Sequence, residues 1–135
     1  MSNETFKLKI LTPLKAQDEV EVNKICVVTD NGEVTILPNH VEYLANVEIS
    51  LLKITIEDKV LTYAVSGGAI HFDAKNNKAI LTLNSIYSPE EIDIIKLKEE
   101  EKALENQLKG AKSVEEHKLA ERNLKRIINQ LSLKK

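Results

Sequence analysis

The chain has 135 residues, 42% of them hydrophobic, which suits one domain with a modest core plus an appendage and excludes two full domains. Net charge is -2, and with 3 Tyr, 2 Phe and no Trp there is neither a large basic face nor a stacking platform for nucleic acid. No apolar run approaches the roughly 20 residues of a membrane helix, and Met1 to Ile10 lacks the basic start and apolar centre of a signal peptide, so the protein is expected to stay where it is made.

Phe6, Leu8 and Ile10 alternate with polar residues, the pattern of a half-buried strand ending at Thr12-Pro13. Lys24 to Thr29 and Glu33 to Leu37 flank Asp30-Asn31-Gly32, a turn sequence able to take positive φ, and read as a hairpin. Within it Ile25-Cys26-Val27-Val28 reads as a buried strand. Cys26 is the only cysteine, so it forms no internal disulfide and is read as structural. Lys53 to Ile56 and Val60 to Val65 flank Glu57-Asp58-Lys59 as a further hairpin. His71 and Phe72 lead through the turn Asp73 to Asn77 into Ala79 to Leu83. Gly67-Gly68 lacks the third glycine and following helix of a phosphate loop, and so marks a tight bend or a close backbone approach. Short strands with regular turns and no intervening helix predict an antiparallel sandwich or flattened barrel over residues 1–87.

At Ser88 the chain changes character. Two capping boxes, Ser88-Pro89-Glu90-Glu91 and Ser113-Val114-Glu115-Glu116, each open a charged, leucine-spaced helix. The first is predicted over Pro89 to Lys109, with Ile94, Leu97, Leu104 and Leu108 on its apolar stripe. Gly110 stops it, and the short link to Ser113 forces the second helix to lie antiparallel. Ala120, Leu124, Ile127, Ile128 and Leu131 form the second helix's apolar side, with His117 at the seam's margin. The predicted class is α+β: an amino-terminal antiparallel β-sandwich followed by an antiparallel two-helix hairpin over residues 88–135. Roughly eight partly exposed apolar side chains must offset ordering entropy, so the hairpin should dock weakly. If the Gly110 bend straightened, about 45 residues at 1.5 Å each would make a rod near 65 Å long.

Charge is unevenly spread. Met1 to Tyr87 holds 8 Lys against 11 acids, Ser88 to Lys109 holds 4 Lys against 7, and Gly110 to Lys135 holds 7 bases against 3 acids. The second helix is therefore a basic element, free of acids after Glu121, suited to docking on acidic surfaces. Arg122 and Arg126, the only arginines, stand four apart and one turn beyond Lys118. Besides a solvated face, they read as a fork-shaped anion site, since guanidinium groups bind phosphate or carboxylate bidentately. No catalytic set emerges: His40, His71 and His117 lack metal-ligand spacing and read as structural, and neither a Ser nor Cys26 sits in a nucleophile motif. The carboxylates of Glu99-Glu100-Glu101 and Glu115-Glu116 lie on solvated faces or first turns, not as an acid-base pair.

Gly32-Glu33-Val34-Thr35-Ile36-Leu37-Pro38-Asn39-His40 resembles the Gly-Glu-x-x-Ile-Leu-Pro-Gly-His of the epsilon subunits of F-type ATP synthases, with Asn39 in place of a Gly. Val47-Glu48-Ile49, Ala64-Val65-Ser66-Gly67-Gly68 and Ile92-Asp93 follow in family order, and the resemblance runs from near Phe6 to near Leu133. It implies a non-catalytic rotor subunit at the foot of the central stalk, with gamma, the c-ring and the beta subunit as partners. Contact with the membrane would then come only through the complex, on the cytoplasmic face of a bacterial cell membrane.

The resemblance assigns Asp30, Asn31, Gly32, Glu33, Pro38 and His40 to the ring and stalk contact. It implies a hairpin that lies folded on the sandwich or extends along gamma to restrain ATP hydrolysis, where Arg122, Lys125 and Arg126 would meet acidic residues of beta. Some bacterial members bind ATP on the folded hairpin. Here Asp93, Arg122 and Arg126 match that pattern, while Lys96 and Leu97 replace an Arg and an Ala, so ATP binding is expected to be weak at best and no cofactor is required. Apart from the resemblance, the residues also suit a β-sandwich adaptor that grips a partner through its helical pair.

Overall fold

The computed structural model describes residues 4–14 and 16–134; Met1 to Asn3, the first part of the stretch read as carrying no leader, and Lys135, at the end of the predicted hairpin, lie outside the described residues. Strands β1 (Phe6–Leu11), β2 (Val20–Val22), β3 (Lys24–Thr29), β4 (Gly32–Ile36), β5 (Tyr43–Ile56), β6 (Lys59–Asp73), β7 (Lys78–Leu83) and β8 (Ile86–Tyr87) come first. A single 3-10 turn, Pro89–Glu91, leads to α1 (Ile94–Lys109) and α2 (Val114–Lys134).

The strands hydrogen-bond in the order β2-β1-β7-β6-β5-β3-β4, with β8 pairing β6 off that path. Two long strands carry the architecture. β6 pairs β8 at Ala64 and Val65, then β7 from Gly68 onward, and the positive φ of Gly67 (102°) and Gly68 (153°) marks the changeover. On the opposite edge of β5 the ladder to β3 slips between Cys26 and Thr29. Glycine bends and ladder slips are the devices by which one sheet folds over on itself. One face of the folded sheet closes over Phe6, Leu8 and Ile10 of β1, Ile25 and Val27 of β3, Leu52 and Ile54 of β5, Ile70 and Phe72 of β6, and Leu81 and Leu83 of β7. Phe6 and Phe72 meet edge to face with ring centroids 5.6 Å apart.

The fold class stands, with corrections in detail. β1 and β7 pair in parallel, so the sandwich is not wholly antiparallel. The whole of β2 to β6 lies between them, which frees the pair from the antiparallel direction a tight hairpin imposes. The two hairpin arms expected at Lys53 to Val65 are the facing ends of β5 and β6, and their turn places Glu57 (φ 48°) and Asp58 (φ 69°) in the left-handed region. Of the run Ile25 to Val28 only Ile25 and Val27 are buried; Cys26 is half-buried on the other face, its Sγ 3.6 Å from the Thr35 hydroxyl.

Helix one begins later than its capping box suggests. The amide and hydroxyl of Ser88 both donate to the Glu91 carboxylate at 2.9 Å, but they close only the 3-10 turn. Ile92 is then extended (φ -92°, ψ 120°) and buried, and Asp93 caps α1 instead, its carboxylate accepting from the Lys96 amide at 3.2 Å. The second box forms nearly as read: Ser113 Oγ accepts from the Glu116 amide at 3.1 Å, while Glu116 reaches the amide of Lys112 at 3.0 Å. Gly110 ends α1 at φ -97° without entering the left-handed region. Ile92, Leu97 and Ile127 form the arm's own apolar cluster, flanked by Tyr87, Leu104 and Leu131, whereas Ile94 and Ile128 of the expected seams are exposed.

Candidate functional site: the turn end of the sandwich and the docked arm

The segment Asp30 to His40 is held from beneath by hydrogen bonds. Thr29 Oγ1 accepts from the Asn31 amide and donates to the Gly32 carbonyl, each at 3.0 Å, and Gly32 itself takes φ 102°. The Asp30 amide donates to Asn46 O on β5 at 3.1 Å. Past Pro38, Asn39 adopts φ 63°, as a residue standing for glycine must, and its amide donates to Asn77 Oδ1 at 2.6 Å. Asn77 also donates to Thr5 O, so the turn after β4 is tied to the β6–β7 turn and to the start of the chain's first strand.

Asp30, Asn31, Gly32 and Glu33 are exposed, while Pro38 and His40 are half-buried. The imidazole of His40 lies edge to face with Tyr43 and Phe72, centroids 5.9 and 5.5 Å away, with Nδ1 2.8 Å from Val41 O. This histidine supports the turn from inside. Next to it the fold exposes apolar side chains the sequence reading passed over: Leu37 is 52% exposed, Val41 72% and Leu44 74%. Their signal was present, since three large hydrophobics in and after a Pro-containing turn cannot all point into a core that one sheet face supplies. Glu42 accepts from the His71 ring at 2.6 Å and from the Ala74 amide at 2.9 Å, which together hold its carboxyl below the usual range, the amide bond contributing most.

The docked arm brings a second set of residues to the same region. Lys118, Glu121, Arg122 and Lys125 of α2 line a cavity of about 640 Å³ opposite Asp30, Glu48, Gly67 and Gly68 of the sandwich. Acids and bases are balanced around it, so it is not a bare anion hole. Arg126 turns elsewhere, toward a crevice shared with Ser66, Ser85 and Asn129 and a groove shared with Glu100 and Leu104; its Nε is buried without a hydrogen-bond partner. The two arginines thus do not converge on one cavity. Asp93 and Lys96 are exposed at the start of α1, joined to each other by the cap, and line none of these cavities. No cluster of His, Cys, Asp and Glu able to hold a metal ion occurs among the described residues.

The family model of the ATP synthase delta/epsilon chain β-sandwich domain matches residues 5–88. The ATP synthase epsilon chain of Ruminococcus albus is 34% identical over 128 residues, covering 95% of each chain. The chloroplastic epsilon chain of Panax ginseng is 33% identical over 66% of this chain and 62% of its own length. A chain of the Euglena gracilis mitochondrial ATP synthase, solved by cryo-EM, shares the fold with a TM-score of 0.81 at 18% identity, over 95% of this chain and 80% of that one. This chain belongs to the delta/epsilon chain family of ATP synthases, among the epsilon chains.

Proposed function

We propose that this chain joins c-ring rotation to the catalytic head at the foot of the central stalk, and that its hairpin restrains ATP hydrolysis when it leaves the sandwich. As an epsilon chain it is a subunit of the synthase and not an enzyme in its own right. The observation that carries the reading is an exposed surface built on a rigid turn. Asp30 to Glu33 at one end of β4 and Leu37, Val41 and Leu44 after its other end are all exposed, and hydrogen bonds from Thr29, Asn46 and Asn77 fix the backbone that carries them. Exposed polar and apolar side chains on a preorganised backbone suit a protein surface that must transmit torque. Gamma and the polar loops of the ring are its intended partners, and beta that of Arg122, Lys125 and Arg126.

The full-length likeness to a bacterial epsilon chain supports a place on the cytoplasmic face of a bacterial membrane, held there through the complex. Nucleotide control is weak in this reading. Asp93 is engaged as a helix cap, Lys96 offers a point charge, and Leu97 is buried in the arm's own cluster. The deciding experiment is affinity capture of the tagged chain from native membranes. Recovery of gamma and ring subunits is the expected result; capture without either would favour an adaptor.

A further inference from the structure

Sandwich and arm keep separate apolar cores. The arm's cluster of Ile92, Leu97 and Ile127, flanked by half-buried Tyr87 and Leu133, shares no buried side chain with the cluster around Phe6 and Phe72. Burial of apolar surface therefore holds each unit together more than it holds one to the other. Where α2 lies against the sheet beside buried Ala64, a polar side chain ties it down. Asn129 Nδ2 donates to Ser50 O at 2.7 Å and to Val65 O at 3.2 Å. Ser50 and Val65 face each other across β5 and β6, so one amide group spans both central strands. Toward its amino-terminal end α2 stands off from the sheet, and Lys118, Arg122 and Lys125 line the cavity left between them. The helix is seated at Asn129 and raised ahead of it.

We propose that Asn129 is the latch of the seated arm, a proposal that rests on the reading of the arm as movable and names the contact that sets its balance. The position needs two N–H donors on one nitrogen, because it serves two carbonyl oxygens. Asp has the same shape and presents only oxygens to them; Ala presents nothing. Both bonds are part-buried, so on release the carbonyls and the amide regain water, and the contact is reversible at modest cost. A deeply buried apolar seam in its place would fix the arm. Asn129 thereby adjusts how readily the basic face of α2 becomes available to a partner.

The test uses the full chain in the background Cys26→Ser with spin labels at Lys53→Cys and Glu115→Cys, exposed positions on β5 and α2. The parent should give a seated distance population. Asn129→Ala should raise the ratio of released to seated arm roughly thirtyfold, from the loss of two hydrogen bonds, and Asn129→Asp should raise it further. Ser132→Ala, which removes only a hydroxyl donating to the Asn129 carbonyl within the helix, should leave it unchanged. Distances that stay put in both Asn129 variants, or that shift only in step with lost helix content by circular dichroism, overturn the latch. Asn129→Asp should still capture gamma and the ring from membranes, so failure of the latch and failure of the rotor reading give different results.

Discussion

A β-carbon placed on Gly68 would lie 1.9 Å from the carbonyl oxygen of Thr82, so β6 and β7 touch backbone to backbone where the sheet folds over. Gly68→Ala must push these strands apart at the crease, on top of the strain of φ 153°. A loss of about 3 kcal/mol or more is expected in urea unfolding. Gly32 has φ 102° but open space around its missing side chain, so Gly32→Ala should cost only the backbone strain, about 1 to 2 kcal/mol. Equal losses at the two sites would refute the steric account of the crease.

Acid should loosen the sandwich through a few surface carboxylates. Glu42 is held below its ordinary value chiefly by the Ala74 amide and then by His71, Asp73 chiefly by the Asn76 side chain, and Glu19 chiefly by Lys78. Each binds its proton less readily folded than unfolded, so its contribution is present above the ordinary values of 4.5 for Glu and 3.8 for Asp and is lost as pH falls below them. Denaturation midpoints should therefore drop progressively on acidification through that window. Glu42→Gln should begin lower at neutral pH and show a shallower decline. A Glu42→Gln curve parallel to the parent's would show that the Glu42 contacts do not contribute.

Alternation and turn chemistry made most of the sandwich legible: Phe6, Leu8 and Ile10 are buried, and Gly32, Asn39 and Gly68 take the backbone conformations their residue types suggest. What escaped was set by distant partners. β2 and β8 are too short to carry a period, and β1 pairs β7 across the whole of β2 to β6, a separation no local pattern encodes. At the arm, Ser88 looked like the start of a helix because the capping box is a local signal, while burial of Ile92 against Leu97 and Ile127 is tertiary and moved the start to Asp93. The candidate site was legible where it is a turn and obscure where it needs the dock. Nothing in the spacing of Arg122 and Arg126 reveals that one faces a cavity with Asp30 while the other is wedged near Ser66 and Ser85.

Nucleotide affinity should remain poor even after the obvious repair. Lys96→Arg restores a guanidinium at the exposed start of α1, but Leu97→Ala removes a buried side chain from the arm's small cluster and should cost about 2 to 3 kcal/mol of its packing. The double variant is expected to melt its helices earlier without gaining a tight ATP site. Calorimetry on the unaltered chain should likewise find nothing at micromolar affinity or tighter; such a site would overturn the weak-binding reading.

The basic residues of α2 should separate into two functions. Arg122 and Lys125 are exposed and border the cavity, so replacing both by Ala leaves the apolar cluster of the arm intact. Arg126 is half-buried with its Nε enclosed, and it lines a groove with Leu104, Ile127 and Gln130, so Arg126→Ala removes buried side-chain volume as well as charge. If the released arm docks on an acidic surface of beta, as proposed above, Ala at all three positions should release ATP hydrolysis in the assembled synthase, since the arm then loses its cations for that surface. The Arg122 and Lys125 pair alone should give most of that release with helix content unchanged. Arg126→Ala alone should instead lower the arm's melting temperature. Hydrolysis that stays restrained in the triple variant would remove the charge argument, since no acid follows Glu121 to complicate the balance on that face.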